Sequence, residues 1–294
     1  MNTLTIKRYI HSIPLAFVYI VLILASIVMV LPFIWMISTS LKVDAEIFGD
    51  TIRWIPSVLD WENYTYIWND QKMEVLFRNS LYVSGLSVVV QVLLCSMAGY
   101  AFARLKFRGR DALFAAILIT MTVPFEVLVL PLFLLVRQFP LAGGNDIFGQ
   151  GGVGLLNTYQ ATAFPHLVTV YGVFIFRQFF LGFPKELEDA AWIDGASKSR
   201  FFWSILIPNS RPVIGTMGLF SFLWSWNDLL WPVVVVKVNS MKTLQAGLST
   251  ISQNPSRWGE MMAASVMVTI PTILVFLLLQ RFLVQGVATT GIKG

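Results

Sequence analysis

The sequence predicts an all-α, polytopic membrane fold, six transmembrane helices with a polar helical hairpin on the cytoplasmic side. Three observations predict it. Hydrophobic residues make up 56% of the 294 and charged residues only 13%, against about 25% charged in soluble domains. Mean hydropathy is +0.70, so the chain has too little polar surface to face water all round. The apolar residues also fall into six long runs, joined by loops that alternate between base-rich and base-poor.

A spanning helix needs about 20 mostly apolar residues, and the runs at 13–37, 80–103, 112–136, 159–181, 213–236 and 261–285 meet that length. Lys7 and Arg8 before the first run resemble the basic start of a signal peptide. The run is longer than the 7–15 residues or so of such a peptide and no A-x-A site follows, which predicts an uncleaved span. Arg177 intrudes on the fourth run and the Asn227-Asp228 pair on the fifth.

An even number of spans places both termini on one side, and the density of Lys and Arg in short loops chooses which. Lys7 and Arg8 lie in the N-terminal arm, and Arg104, Lys106, Arg108 and Arg110 crowd the turn "RLKFRGR". Lys185, Lys198, Arg200 and Arg211 follow in the loop 182–212, then Arg281 and Lys293 near the end. The opposite loops are longer and poorer in bases for their length, and the first of them, 38–79, is dominated by Asp and Glu. Both termini and the loop 182–212 are therefore expected in the cytoplasm. The net charge of +5 follows this topology and forms no nucleic-acid-binding face.

Other features exclude more than they assign. No G-x-x-x-x-G-K-[ST] occurs, so the chain is not expected to hydrolyse ATP. The outer loop "LAGGNDIFGQGGVG" lacks the Lys-Ser/Thr of a phosphate cradle and reads as a turn. Cys95 lies in an apolar run and reads as packing. No metal-ligand cluster is legible, and His11 and His166 are far apart in sequence. The aromatic outer loop "VLDWENYTYIWND" reads as a dock for a soluble protein or as an interfacial collar.

The loop 182–212 carries most of the chemistry. Pro184 ends the fourth span and suits the start of a new helix. Glu186, Glu188 and Asp189 complement that helix's positive end. Ala190 and Ala191 make a thin face that another backbone can approach, and Gly195 can close the helix in the left-handed conformation. Ser197 suits the N-cap of a second helix, with Phe201, Phe202, Ile205 and Leu206 along one side. Two readings follow. The hairpin lies on the bilayer with Phe201 and Phe202 among the acyl chains, or it is a stiff element that docks into a groove on a soluble partner.

"EDAAWIDGASKSRFFWSILIP" resembles the Glu-Ala-Ala-x-x-x-Gly-(x)9-Ile-x-Leu-Pro loop of ATP-binding-cassette importer permeases. Asp189-Ala190-Ala191, Gly195, Ile205 and Pro208 fall in register; Asp189 replaces the family's Glu and Ile207 its Leu. Along the rest of the chain, "TSLK", "AGYAFARLKFRGR", "TVPFEVLVLPLF", "SWNDLLWP" and "QRFLVQGVATTGIKG" are similar to the maltose-permease type of carbohydrate importer subunit. The resemblance implies one transmembrane domain over 1–294, in a bacterial cytoplasmic (inner) membrane. It implies a coupling helix seated in a cytoplasmic ATPase through Glu188, Asp189, Ala190, Ala191, Asp194, Gly195, Ala196, Ser197, Phe201, Ile205 and Pro208. It also implies that Gly291, Lys293 and Gly294 of the tail reach the ATPase dimer. The implied partners are a second permease, that dimer, an extracytoplasmic solute-binding protein and a sugar. ATP-Mg would be bound by the ATPase, with no cofactor in this chain.

Ionisable groups inside spans are costly and mark functional candidates. Glu126, between Pro124 and Pro131, and Asp228, beside Asn227, are two. Trp224, Trp226 and Trp231 offer stacking faces for a sugar ring, and Asn227 and Asp228 offer it hydrogen bonds. Structural contacts between helices are the other reading of these residues. The same carboxylates, Glu126 and Asp228, admit a different class of function, an ion-coupled secondary transporter, which leaves the hairpin idle.

Overall fold

The structure is a computed structural model that describes residues 15–49, 51–251 and 257–288. Lys7, Arg8, His11 and the tail residues Gly291, Lys293 and Gly294 lie outside the described residues. Those described are helices and connecting loops without a strand. The chain divides into two compact units, residues 1–71 with 251–267, and residues 72–250 with 268–294.

The first unit is led by α1, Leu15–Ser40, whose 26 residues reach about 39 Å at about 1.5 Å per residue. Its last carbonyls have no partner within the helix and are met from outside. Asn63, on α2 (Glu62–Asn69), donates its amide to Ser40 O at 3.1 Å and Lys42 O at 3.0 Å. The Ser40 and Tyr64 hydroxyls meet at 2.7 Å. The buried Lys42 ammonium donates to Arg53 O and lies 4.2 Å from the centre of the Trp35 ring. The "TSLK" stretch is thus the closure of α1. Asn63 and Tyr64 face inward for that purpose, while Trp61 and Trp68 stay exposed.

The second unit is built round α3, Met73–Arg104. Along the chain follow α4 (Arg110–Ile119), α5 (Phe125–Arg137), α6 (Tyr159–Ala163) and α7 (Val170–Leu181); α4, α6, α7 and the later helix Arg211–Asn227 pack on α3. Small residues let α3 and α7 approach closely, the usual device of helix packing in membranes. A Cβ on Gly99 would stand 2.6 Å from Phe176 Cβ and 2.9 Å from Arg177 N, and one on Gly172 would stand 2.8 Å from Cys95 Sγ.

Among the described residues three helices are long and apolar enough to cross a membrane, Phe17–Ser40, Met73–Arg104 and Trp258–Leu283, and the count reaches five if each of two bent pairs is one span. The run 112–136, expected as one span, is α4 and α5 bent by 106°. Thr120 and Thr122 turn their hydroxyls back onto Ile117 O and Ile119 O. Pro124 then starts a new helix, having no N–H to continue the old one. The run 159–181 is bent by 51° between the turn ending at His166 and α7, where the Thr169 hydroxyl caps α7 by accepting from Gly172 N at 3.1 Å. The fifth run, 213–236, divides into α10 (Arg211–Asn227) and α11 (Leu230–Val235) at Asp228. Between α7 and α10 lie α8 (Lys185–Ile193) and α9 (Lys198–Phe201). Leu244–Ile251 is α12, and α13 is Trp258–Ala288.

Candidate functional site: a packed hairpin and a shielded polar pair

The hairpin is built by local chemistry. Pro184 precedes α8, and Glu186 and Glu188 fill its first turn. At its end Gly195 takes φ +74°, Gly195 N donates to Trp192 O at 3.1 Å and Ala196 N to Ala191 O at 2.9 Å. These two bonds are the Schellman closure, which favours glycine at the left-handed position. The Ser197 hydroxyl then accepts from Arg200 N at 3.2 Å and opens α9. The chain continues through a π-turn, Phe202–Leu206, and a 3-10 turn at Pro208 into α10.

The second arm faces the bundle. Phe201, Phe202 and Leu206 are buried in one apolar cluster with Tyr100, Phe176, Phe180 and Met217. Tyr100 lies 5.2 Å from Phe202 and 6.4 Å from Phe201, and Trp192 lies 5.5 Å from Phe201, between ring centres. This corrects the reading in which Phe201 and Phe202 dip among acyl chains: helical spacing reveals an apolar face but not what covers it. Ala191 also turns inward and is buried, so only Ala190 of the expected thin face is exposed.

What faces outward is the tip of the elbow. Asp189, Ala190, Asp194, Gly195 and Ser197 are exposed, Ile193 is 86% exposed, and Pro208 is exposed beyond the second arm. Ala196 and Ile205 are half-buried. Glu188 turns back to the bundle, 2.9 Å from the Arg104 guanidinium.

A second polar constellation joins the breaks in the fourth and fifth runs. His166 Nε2 lies 2.8 Å from Asp228 Oδ2, with the two side chains 18% and 12% exposed. Asp228 Oδ1 accepts from Trp231 N at 3.3 Å and so caps α11. Sequence reasoning missed His166, 62 residues away; its signal was a polar residue after Pro165 inside an apolar run. Glu126 is exposed in the first turn of α5 and is not among the partners of Asp228.

The tryptophans divide. Trp226 is 1% exposed, stacks on Phe222 at 5.2 Å and donates its indole N–H to Val268 O at 3.2 Å. Trp231 is fully buried and donates to Ala161 O at 2.8 Å. Neither ring is free for a sugar, which corrects that expectation: both satisfy their N–H inside the protein, as buried indoles do. Trp224 is exposed, edge-on to Tyr171 at 5.4 Å and stacked with Phe220 at 6.0 Å. Asn227 is exposed beside it on α10, donating to Leu223 O at 2.8 Å and accepting from Gln245 at 3.4 Å.

Residues 91–289 match the family described as binding-protein-dependent transport system inner membrane component. The chain belongs to that family. As such an inner-membrane transport component it is a transport subunit and not an enzyme. The arabinooligosaccharides transport system permease protein AraQ of Halalkalibacterium halodurans is 36% identical, covering 90% of this chain and 91% of its own. The lactose transport system permease protein LacG of Rhizobium radiobacter is 31% identical over 91% and 93%. The sn-glycerol-3-phosphate transport system permease protein UgpE of Yersinia pestis is 29% identical over 92% and 94%. Among solved structures, a chain of a bacterial ABC transporter that imports the acidic polysaccharide alginate shares the fold. Its TM-score is 0.73 at 22% identity, with 91% of this chain and 95% of that one covered. A second alginate transporter structure, in complex with an alginate pentasaccharide-bound periplasmic protein, gives 0.63 at 13% identity over 89% and 92%.

Proposed function

We propose that this inner-membrane component is one permease of an ATP-driven importer for a sugar or oligosaccharide. It pairs with a second, related permease, and residues 1–294 act as one transmembrane domain. A cytoplasmic ATPase dimer binds ATP and Mg²⁺ and receives the hairpin, with both chain termini on the same cytoplasmic side. An extracytoplasmic binding protein delivers the solute. The carbohydrate class rests on the relatives' names, which cover arabinooligosaccharides and lactose, and one names the polyol ester sn-glycerol-3-phosphate.

The observation that carries the coupling role is the elbow of α8: a closed turn that exposes Asp189, Ala190, Ile193, Asp194 and Gly195, mounted on an arm whose opposite face is buried in the bundle. Such an element moves as a lever, because packed interiors resist compression. ATP shifts the inward- and outward-open states only by binding them unequally, and the elbow is where that difference enters the spans. On the solute side, Trp224 and Asn227 form the exposed polar and aromatic edge, with the His166–Asp228 pair fastening the backbone behind it. Family membership does not favour the ion-coupled carrier.

The test is uptake into vesicles that hold the assembled importer, with the binding protein outside and ATP inside. Uptake that follows ATP and persists with an uncoupler supports the importer. Uptake that collapses with the uncoupler while ATP is constant overturns it in favour of the carrier.

A further inference from the structure

We infer that Arg104 is a positioning residue that fastens the hairpin to α3, so that force on the elbow reaches the central span. The inference rests on the coupling role proposed above and names the joint through which it acts.

Arg104 is the last residue of α3, and its side chain is only 7% exposed. Its guanidinium holds three groups that belong to two other elements. Nε and Nη2 donate to Phe180 O at 2.9 and 2.7 Å, and Nη2 also donates to Phe183 O. These carbonyls lie at the C-terminal end of α7, where unpaired C=O groups gather partial negative charge and favour a cation. Nη1 donates to Glu188 Oε2 at 2.9 Å, on α8. One planar fork thus joins the end of α3, the end of α7 and the first arm of the hairpin. A lysine ammonium, a single point charge, cannot reproduce that geometry.

Tyr100 is one helical turn earlier on α3, on the same face. Its ring packs on Phe201 and Phe202 of the second arm. Arg104 therefore grips the first arm and Tyr100 the second, both from one helix. Gly99 adds the close approach of α3 to α7 beside them. A carboxylate at 188 serves this joint from inside, while Glu186, Asp189 and Asp194 face outward. The hairpin is held to α3 at one point on each arm, so it cannot swing freely on flexible ends.

The experiment compares Arg104→Lys and Glu188→Gln in the complete importer, reading solute taken up per ATP hydrolysed. Each carries Ala190→Cys as a crosslinking reporter toward the ATPase. The joint predicts that the crosslink and ATP hydrolysis persist while uptake per ATP falls about tenfold in Arg104→Lys, the factor for losing one hydrogen bond to a charged group. Glu188→Gln keeps the shape of the side chain and gives a smaller fall in the same ratio. An unchanged ratio in both variants overturns the inference. So does a parallel loss of crosslink, hydrolysis and uptake in both, which makes Arg104 a fold anchor. If Ala190→Cys fails to crosslink in the otherwise unaltered chain, the docking reading itself fails, and the joint has nothing to transmit.

Discussion

Asp228 and His166 give the strongest quantitative prediction. Asp228→Ala removes two interactions at once: the contact to His166 Nε2 at 2.8 Å and the cap on Trp231 N at 3.3 Å. A hydrogen bond to a charged group contributes about 1.5–3 kcal/mol, and an N-terminal cap about 1 kcal/mol. With side chains 12% and 18% exposed, water recovers part of the first. The expected loss is about 2–3 kcal/mol in total. Asp228→Asn keeps an acceptor for the Trp231 N–H and a partner for the imidazole, so it loses about 1 kcal/mol or less. The assay is reversible unfolding of the purified complex in lipid nanodiscs, run as a double-mutant cycle with His166→Ala. The cycle should give a coupling of about 1–2 kcal/mol, as residues in direct contact do. A coupling below about 0.3 kcal/mol, the scatter of independent sites, refutes the pair as the fastening of the two breaks.

Trp226→Ala empties a buried site and should cost about 3–5 kcal/mol of stability; Trp224→Ala should leave thermal unfolding nearly unchanged while raising the solute concentration for half-maximal uptake several-fold. Gly99→Val drives a branched side chain into Phe176 Cβ and Arg177 N and should cost about 1–3 kcal/mol, seen as a lower unfolding temperature of the assembled complex. Gly195→Pro cannot hold φ +74° or donate to Trp192 O, so ATP-driven uptake should fall to background, whereas Gly195→Ala pays about 1–2 kcal/mol for the left-handed backbone and retains partial uptake.

The parts legible in the sequence were those set by neighbouring residues. Pro184, Gly195 and Ser197 announce a helix start, a left-handed closure and a cap, and each performs that local task. The apolar runs are also local, and α1, α3 and α13 follow from them. Their breaks were only half legible: Pro124 and Pro131 flagged the third run, but neither residue states the 106° angle between α4 and α5. What could not be read was long-range pairing. Arg104 meets Glu188 across 84 residues and His166 meets Asp228 across 62, and a composition or period carries no trace of either. Aromatic identity misled for a related reason. Tryptophan suits an interface, a binding face or a core, and only the carbonyls of Val268 and Ala161 decide that Trp226 and Trp231 belong to the core.

The central claim is that the elbow of α8 meets a separate ATPase on the cytoplasmic face. Its most direct measurement is site-specific crosslinking from Ala190→Cys in intact membranes, combined with labelling by a thiol reagent that cannot cross the bilayer. The account predicts an adduct with the ATPase subunit whose yield changes when ATP is trapped, and no labelling from the outer side. Labelling from outside, or no adduct with the ATPase in any nucleotide state, contradicts it.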